Sequence, residues 1–307
     1  MTTLYTNQST NIRKTWFLMT SFLVFIIAIG FSLSYVYGNP FFLYIAIGIS
    51  LFTNIGAYWF SDKIVLNMAG AKKIESKEDY PDLWNTMENL CITAGLPMPK
   101  LYVIDDPAPN AFATGRDKEH AVVAVTSGLL PLLTKSELEG VLAHELSHIG
   151  NKDMLIQTVV VVFAGMISII ANIALHVSSI GGNEKKNPVL AVIGLVGILL
   201  APVVATIIKL AISREREFLA DSTAALITRY PEGLASALEK ISNFHQPMRI
   251  QNNTIAHLYI SDPSGVNDES EAREHEKVSF IQKLFMTHPP VKERVNALLK
   301  STRSVAN

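Results

Sequence analysis

Four long apolar runs constrain this chain more than any other feature. Thr15 to Tyr37 and Phe41 to Phe60 carry no charged residue and are joined by the turn sequence Gly38-Asn39-Pro40. Met154 to Val177 is uncharged apart from His176 near its end. Pro188 to Ile208 follows, with Lys209 at a position where its stem can snorkel to an interface. A bilayer core needs about 20 residues of helix, whereas the apolar run of a buried core helix is typically about 10–14. The first run is too long for the apolar region of a signal peptide, and a second follows at once. The expectation is a mainly α integral membrane protein with four transmembrane helices in two hairpins.

Two hairpins return the chain to its starting side each time. The N-terminus, residues 61–153 and the tail after Lys209 then share one face of the membrane. Arg13, Lys14, Lys63, Lys72, Lys73, Lys152, Arg214 and Arg216 lie near the span ends on that face. The opposite face has an uncharged turn and a short loop with Glu184, Lys185 and Lys186. The positive-inside rule makes the shared face cytoplasmic. The chain divides into an N-terminal arm with the first hairpin (1–60), a cytoplasmic part (61–153), a second hairpin (154–209) and a second cytoplasmic part (210–307).

A net charge of -1 and the lack of any basic block argue against a nucleic-acid partner. One cysteine, Cys91, rules out an intrachain disulfide framework and any cysteine-based zinc cluster. It falls in a helical pattern from Asp82 to Gly95 and reads as a small core residue.

His144-Glu145-Leu146-Ser147-His148 carries the chemistry. On a helix, residues four apart share a face, so both imidazoles can reach one ion while Glu145 sits beside them. Neutral imidazole suits zinc, and an adjacent carboxylate can take a proton from water activated there. Only five residues separate His148 from Met154, so the site lies at the membrane surface. Catalytic zinc takes a third protein ligand. Residues 213–221 are on the same side, and if they continue the fourth span as a helix, Glu217 and Asp221 are one turn apart. Glu215 and Glu217 point in different directions, so only one can serve. Glu217 is the choice, because Asp221 then falls where it can accept the far N–H of a ligating histidine. The bland alternative is a juxtamembrane helix with solubilising charges.

Leu101 to Ile104, Asn110 to Thr114 and Ala121 to Thr126 read as short strands preceding the helix of the histidines. Zinc endopeptidases hold substrate extended, and an exposed sheet edge does this through backbone hydrogen bonds. Asn110-Ala111-Phe112 is the expected substrate-binding edge, with an ordinary turn closed by Asn110 as the alternative. In Thr287-His288-Pro289-Pro290 the prolines precede a polar helix carrying Arg294. A histidine or arginine near the metal can stabilise an oxyanion, whereas the plain reading is a helix start with an exposed arginine. His120, His176, His245, His257 and His275 lack ligand spacing and read as structural or exposed. Residues 251–277 are polar and rich in acids, reading as an excursion near the site or as a plain loop.

The His144–His148 motif, the run Glu217-Phe218-Leu219-Ala220-Asp221, Asn110-Ala111-Phe112 and Met286-Thr287-His288-Pro289-Pro290 together resemble the HtpX membrane metalloproteases. The resemblance covers essentially the whole chain, including the order of two spans, catalytic segment, two spans and catalytic tail. The related CAAX prenyl proteases share the zinc motifs but are longer and have more spans. The resemblance implies a zincin-like α+β catalytic domain with a small sheet, and one zinc ion held by His144, His148 and Glu217. It also implies Asp221 as partner of a ligand, an edge at Asn110 to Phe112, and His288 at the oxyanion with Arg294 in support. It further implies a multi-pass protein of a bacterial or archaeal cytoplasmic membrane that cuts misfolded or damaged membrane proteins. The rivals are a processing protease with one membrane-anchored precursor, and a non-proteolytic scaffold stabilised by zinc.

Overall fold

A computed structural model describes residues 4–180, 213–250, 252, 254–265 and 289–305. Helix α1 (Leu4–Tyr37) and helix α2 (Phe41–Trp59) form the first hairpin. Gly38 takes φ +62 in the turn, a left-handed backbone that glycine adopts without strain. The Asn39 side chain then accepts the N–H of Phe41 at 3.0 Å. Both helices are long and apolar enough to cross a membrane, over Gln8–Tyr37 and Phe41–Trp59. Helix α1 begins well before the expected Thr15. Its polar first turns contain no glycine or proline, so nothing halts the helix where the apolar run ends.

Phe17, Val24, Phe31 and Phe52 of this hairpin are all more than half exposed. A row of large apolar groups facing outward suits lipid and not water. The inward face is close-packed. A Cβ on Gly30 would lie 2.1 Å from that of Ala46, so the two backbones approach where only a small residue fits. Leu18, Phe22 and Ile26 of α1 bury against Leu155, Val159, Phe163 and Ile167 of α7 (Asp153–Ile180). The Phe22 and Phe163 rings stack with centroids 4.0 Å apart.

The expected third span lies inside α7 as one helix. Residues Asp153–Ile167 of α7 and α6 (Lys135–Asn151), bent by 84° at their junction, together reach the length and hydropathy of a span. That makes two candidate spans, or three with this broken pair, among the described residues. The expected fourth span, Pro188 to Ile208, lies outside them.

Between the hairpin and α6, helix α3 (Ser61–Met68) leads to a four-stranded sheet: β1 (Lys72–Lys73), β2 (Lys100–Ile104), β3 (Ala111–Thr114) and β4 (Val122–Thr126). The strand order is β1-β2-β4-β3, with β2 and β4 parallel and the other two pairs antiparallel. The three strands expected from the sequence are present within a residue, and β1 is an exposed two-residue addition.

Strand alternation sends the two faces into different cores. Ala111, Ala113, Val123 and Val125 face a core with Met87 and Leu90 of α4 (Pro81–Ala94) and with Leu142 and Leu146 of α6. Phe112, Val122 and Ala124 face Val65 and Leu66 of α3, Val161 of α7 and Tyr259. The sheet is therefore a wall between the core of α4 and α6 and the core of α3 and α7. Cys91 is buried in the first of these cores.

Helix α6 starts after a four-residue helix, α5 (Leu129–Leu132), and Glu137 folds back to accept the Thr134 N–H at 2.8 Å. It packs on α8 (Arg214–Thr228) and α9 (Pro231–Ser242). A Cβ on Gly140 would meet the Leu234 nitrogen at 2.6 Å, so α6 and α9 touch backbone to backbone. The conditional expectation that 213–221 continues an incoming helix is corrected here: Ser213 is extended, and α8 starts at Arg214. Helix α10 (Val291–Val305) closes the body and carries Arg294.

Candidate active site

His144 and His148 are one turn apart on α6 and almost wholly buried. Their rings are perpendicular, and their Nε2 atoms lie 3.2 Å apart. Two imidazole lone pairs this close repel each other unless a proton or a cation lies between them. Glu217, on the first turn of α8, brings Oε1 to 3.6 Å from His148 Nε2 and Oε2 to 3.7 Å from His144 Nε2. The donor atoms of the three residues lie within 4.8 Å of one another. Two imidazoles and a carboxylate are a donor set used by catalytic zinc, and these residues fit such an ion. Glu215 is exposed, so the choice between the two acids falls to Glu217 by geometry as well.

Each imidazole has its other nitrogen against a buried carboxylate. His144 Nδ1 lies 3.0 Å from Asp221 Oδ1. With a proton on Nδ1, the Nε2 lone pair is left for the metal. Asp221 is in turn gripped by Arg294, whose Nε donates to Oδ2 at 2.9 Å and whose Nη2 donates to Oδ1 at 2.7 Å. Burial alone would push the Asp221 carboxyl up, but the Arg294 guanidinium outweighs it and holds the group at about 2. Arg294 Nη1 also lies 3.8 Å from Glu217 Oε2. An arginine read from sequence as an oxyanion support is thus bound bidentately to Asp221, and only 1% of it is exposed.

His148 Nδ1 lies 3.2 Å from Asp153 Oδ2, at the head of α7. Sequence reasoning missed Asp153. Its signal was an acid opening an otherwise uncharged apolar run, five residues beyond His148. Asn11, from α1, donates to the second oxygen of Asp153. Nothing local in the sequence marks a contact between residues so far apart.

Glu145 is 2% exposed, and burial pushes its carboxyl up to about 7, with the neighbouring His148 opposing. It accepts the backbone N–H of Ala113. Strand β3, which follows Asn110 and contains Ala111 and Phe112, is one of the two edge strands. The Thr126 N–H bonds the Asn110 carbonyl at 2.9 Å, so antiparallel alternation turns the backbone groups of Ala111 and Ala113 outward. The Ala111 carbonyl accepts the Ile260 N–H at 2.9 Å. The Asn110 side chain takes the Ser261 N–H at 3.2 Å and donates to the Ser261 carbonyl at 2.9 Å. Phe112 turns its ring inward, edge-on to Tyr259. The Asn110–Ala111 end of the edge is therefore lined by the chain itself, and the Ala113 end adjoins Glu145.

His288 lies outside the described residues, one position before Pro289. Among the other histidines, His120 is exposed beside Asp117, His245 is exposed and His257 is buried. His275 and most of 251–277 fall outside the description.

The model of peptidase family M48 matches residues 77–302, which includes every residue of the site except Asn11. A protein named Protease HtpX homolog from Dictyoglomus turgidum is 44% identical, over 96% of this chain and 94% of its own. Proteins of the same name are 47% identical in Tropheryma whipplei, over 85% and 86%, and 42% identical in Pyrococcus furiosus, over 91% and 93%. The crystal structure of Ste24p from S. mikatae superposes with a TM-score of 0.50 at 20% identity, over 95% of this chain and 66% of that one, a likeness of fold. With a family match over most of its length and relatives above 40% identity over most of both chains, the chain belongs to peptidase family M48, among the HtpX proteins.

Proposed function

We propose that this protein is a zinc-dependent endopeptidase of the membrane, with its site at the cytoplasmic surface, cutting misfolded or damaged membrane proteins. The observation that carries the reading is the meeting of His144, His148 and Glu217 donor atoms within 4.8 Å, beside the buried Glu145. A zinc ion held by these three residues supplies Lewis acidity toward water and toward a scissile carbonyl. Glu145 takes a proton from the attacking water as its oxygen bonds the carbonyl carbon, and delivers that proton to the amine as the C–N bond breaks. His288 helps hold the oxyanion, in keeping with the family pattern, and Arg294 fixes Asp221 behind His144.

The two-part cytoplasmic body, a second hairpin over 154–209 and both termini on the cytoplasmic side belong to the same proposal. They are supported by the basic residues near the span ends and by α1 and α2. An extended substrate adds beside the Ala113 end of β3, since Ile260 and Ser261 already pair with Ala111 and Asn110 and the Phe112 ring is turned inward. The quality-control role is supported by the HtpX name that the relatives carry.

Glu145→Gln is expected to keep one zinc per chain and to lose cleavage of casein or of a membrane substrate. Glu217→Ala is expected to lose the zinc. Cleavage by purified Glu145→Gln protein would contradict the mechanism, and full zinc occupancy in Glu217→Ala would contradict the ligand set.

A further inference from the structure

The corner between α6 and α7 is tied to the first membrane helix. Gln8 Nε2 donates to the Gly150 carbonyl at 2.6 Å, and Asn11 Nδ2 donates to the Asn151 carbonyl at 3.1 Å. Both carbonyls belong to the last turn of α6, where no intrahelical donor remains for them. Asn11 Nδ2 also donates to Asp153 Oδ1 at 2.5 Å, so both protons of the amide are used. The other oxygen of Asp153 faces His148 Nδ1 at 3.2 Å. Asn11 is 4% exposed and Asp153 is fully buried. Arg216 Nε lies 3.6 Å from Asp153 Oδ1 and brings a positive charge beside it.

We infer that Asn11 and Asp153 are positioning residues for the metal site, and that the first membrane helix helps to set its affinity for zinc. Asp153 accepts the His148 Nδ1–H, which fixes the tautomer and leaves the Nε2 lone pair for the ion. Asn11 fixes Asp153, because a carboxylate held through one oxygen by an amide presents the other in a defined direction. The chain thereby links insertion of α1 to completion of a site more than a hundred residues away. A chain whose first helix is not docked would bind zinc weakly and stay inactive. This rests on the reading of His148 as a zinc ligand.

The test is the zinc Kd of full-length protein in detergent, measured by competition with a chromophoric chelator. Asp153→Asn is expected to raise Kd about 10- to 100-fold, and Asn11→Leu, which keeps the shape without the donor, about tenfold. Asn11→Gln, which keeps an amide, should recover part of the loss. Gln8→Leu removes a bond between α1 and α6 that does not touch Asp153, and should leave Kd unchanged. If Asn11→Leu does not fold, Asn11→Ala, which also lacks the donor, carries the same comparison. An unchanged Kd in the folded Asn11 variant overturns the inference, and an equal loss in Gln8→Leu overturns Asn11 and Asp153 as positioning residues, leaving only general docking of α1. His148→Ala separates the two levels: wild-type zinc binding in that variant would mean that the ligand assignment itself is what fails.

Discussion

The two histidines of the motif sit one turn apart yet are supported by different halves of the molecule. Behind His144 stand Asp221 of α8 and Arg294 of α10, both from the C-terminal third of the chain. Behind His148 stand Asp153 at the head of α7 and Asn11 of α1, both from the root of the membrane helices. The chemistry is the same in each case, a buried carboxylate against an imidazole Nδ1. The compensation differs. Asp221 receives two short bonds from one guanidinium, whereas Asp153 shares an amide, an imidazole and an arginine at 3.6 Å. A metal joining these two imidazoles therefore joins the supports on α8 and α10 to those on α1 and α7.

The most disruptive way to break this symmetry is to remove the guanidinium. Arg294→Leu strands the buried Asp221 charge and is expected to cost about 3–5 kcal/mol of stability. Arg216→Leu should cost clearly less, because Asp153 keeps its amide and imidazole partners. Unfolding of both variants in denaturant checks the order, and equal losses would mean that the two carboxylates are compensated alike.

A smaller effect is expected at the start of α6, far from the membrane root. There Glu137 accepts from the Thr134 N–H, from Ser236 Oγ at 2.6 Å and from Lys240 Nζ at 2.7 Å. Burial pushes its carboxyl up, but the Lys240 and Ser236 bonds outweigh this and hold it at about 2, below the ordinary 4.5. The folded state thus favours the ionised form. Its stabilisation is complete above pH 4.5 and disappears as pH falls toward 2. Glu137→Gln is expected to lose about 1–2 kcal/mol at neutral pH, since Lys240 is partly exposed and its charge is screened. The gap in thermal stability from wild type should narrow as pH is lowered through that window. A gap that stays constant would remove the ion pair from the account.

Much of this arrangement was legible in the sequence because it follows from local periodicity. Apolar length marks α1 and α2, and alternation marks β2, β3 and β4. A spacing of four puts His144 with His148 and Glu217 with Asp221 on common helix faces. What was not legible depends on contacts between residues distant in the chain. Asn11 meets Asp153 across 142 positions, and Ser261 meets Asn110 across 151. Arg294 could be seen to stand near the site, yet its partner was decided by packing of α10 on α8 rather than by any spacing. Strand β1 was missed because two lysines at a sheet edge carry no alternation to read.

The central claim, that His144, His148 and Glu217 hold one zinc ion, is tested most directly by X-ray absorption at the zinc edge of the purified, zinc-loaded protein. The account predicts one zinc per chain in a shell of nitrogen and oxygen near 2.0–2.1 Å. Outer-shell scattering should fit two imidazoles, falling to one in His148→Ala. A sulfur contribution from Cys91, or a two-imidazole signal that survives His148→Ala, would contradict it.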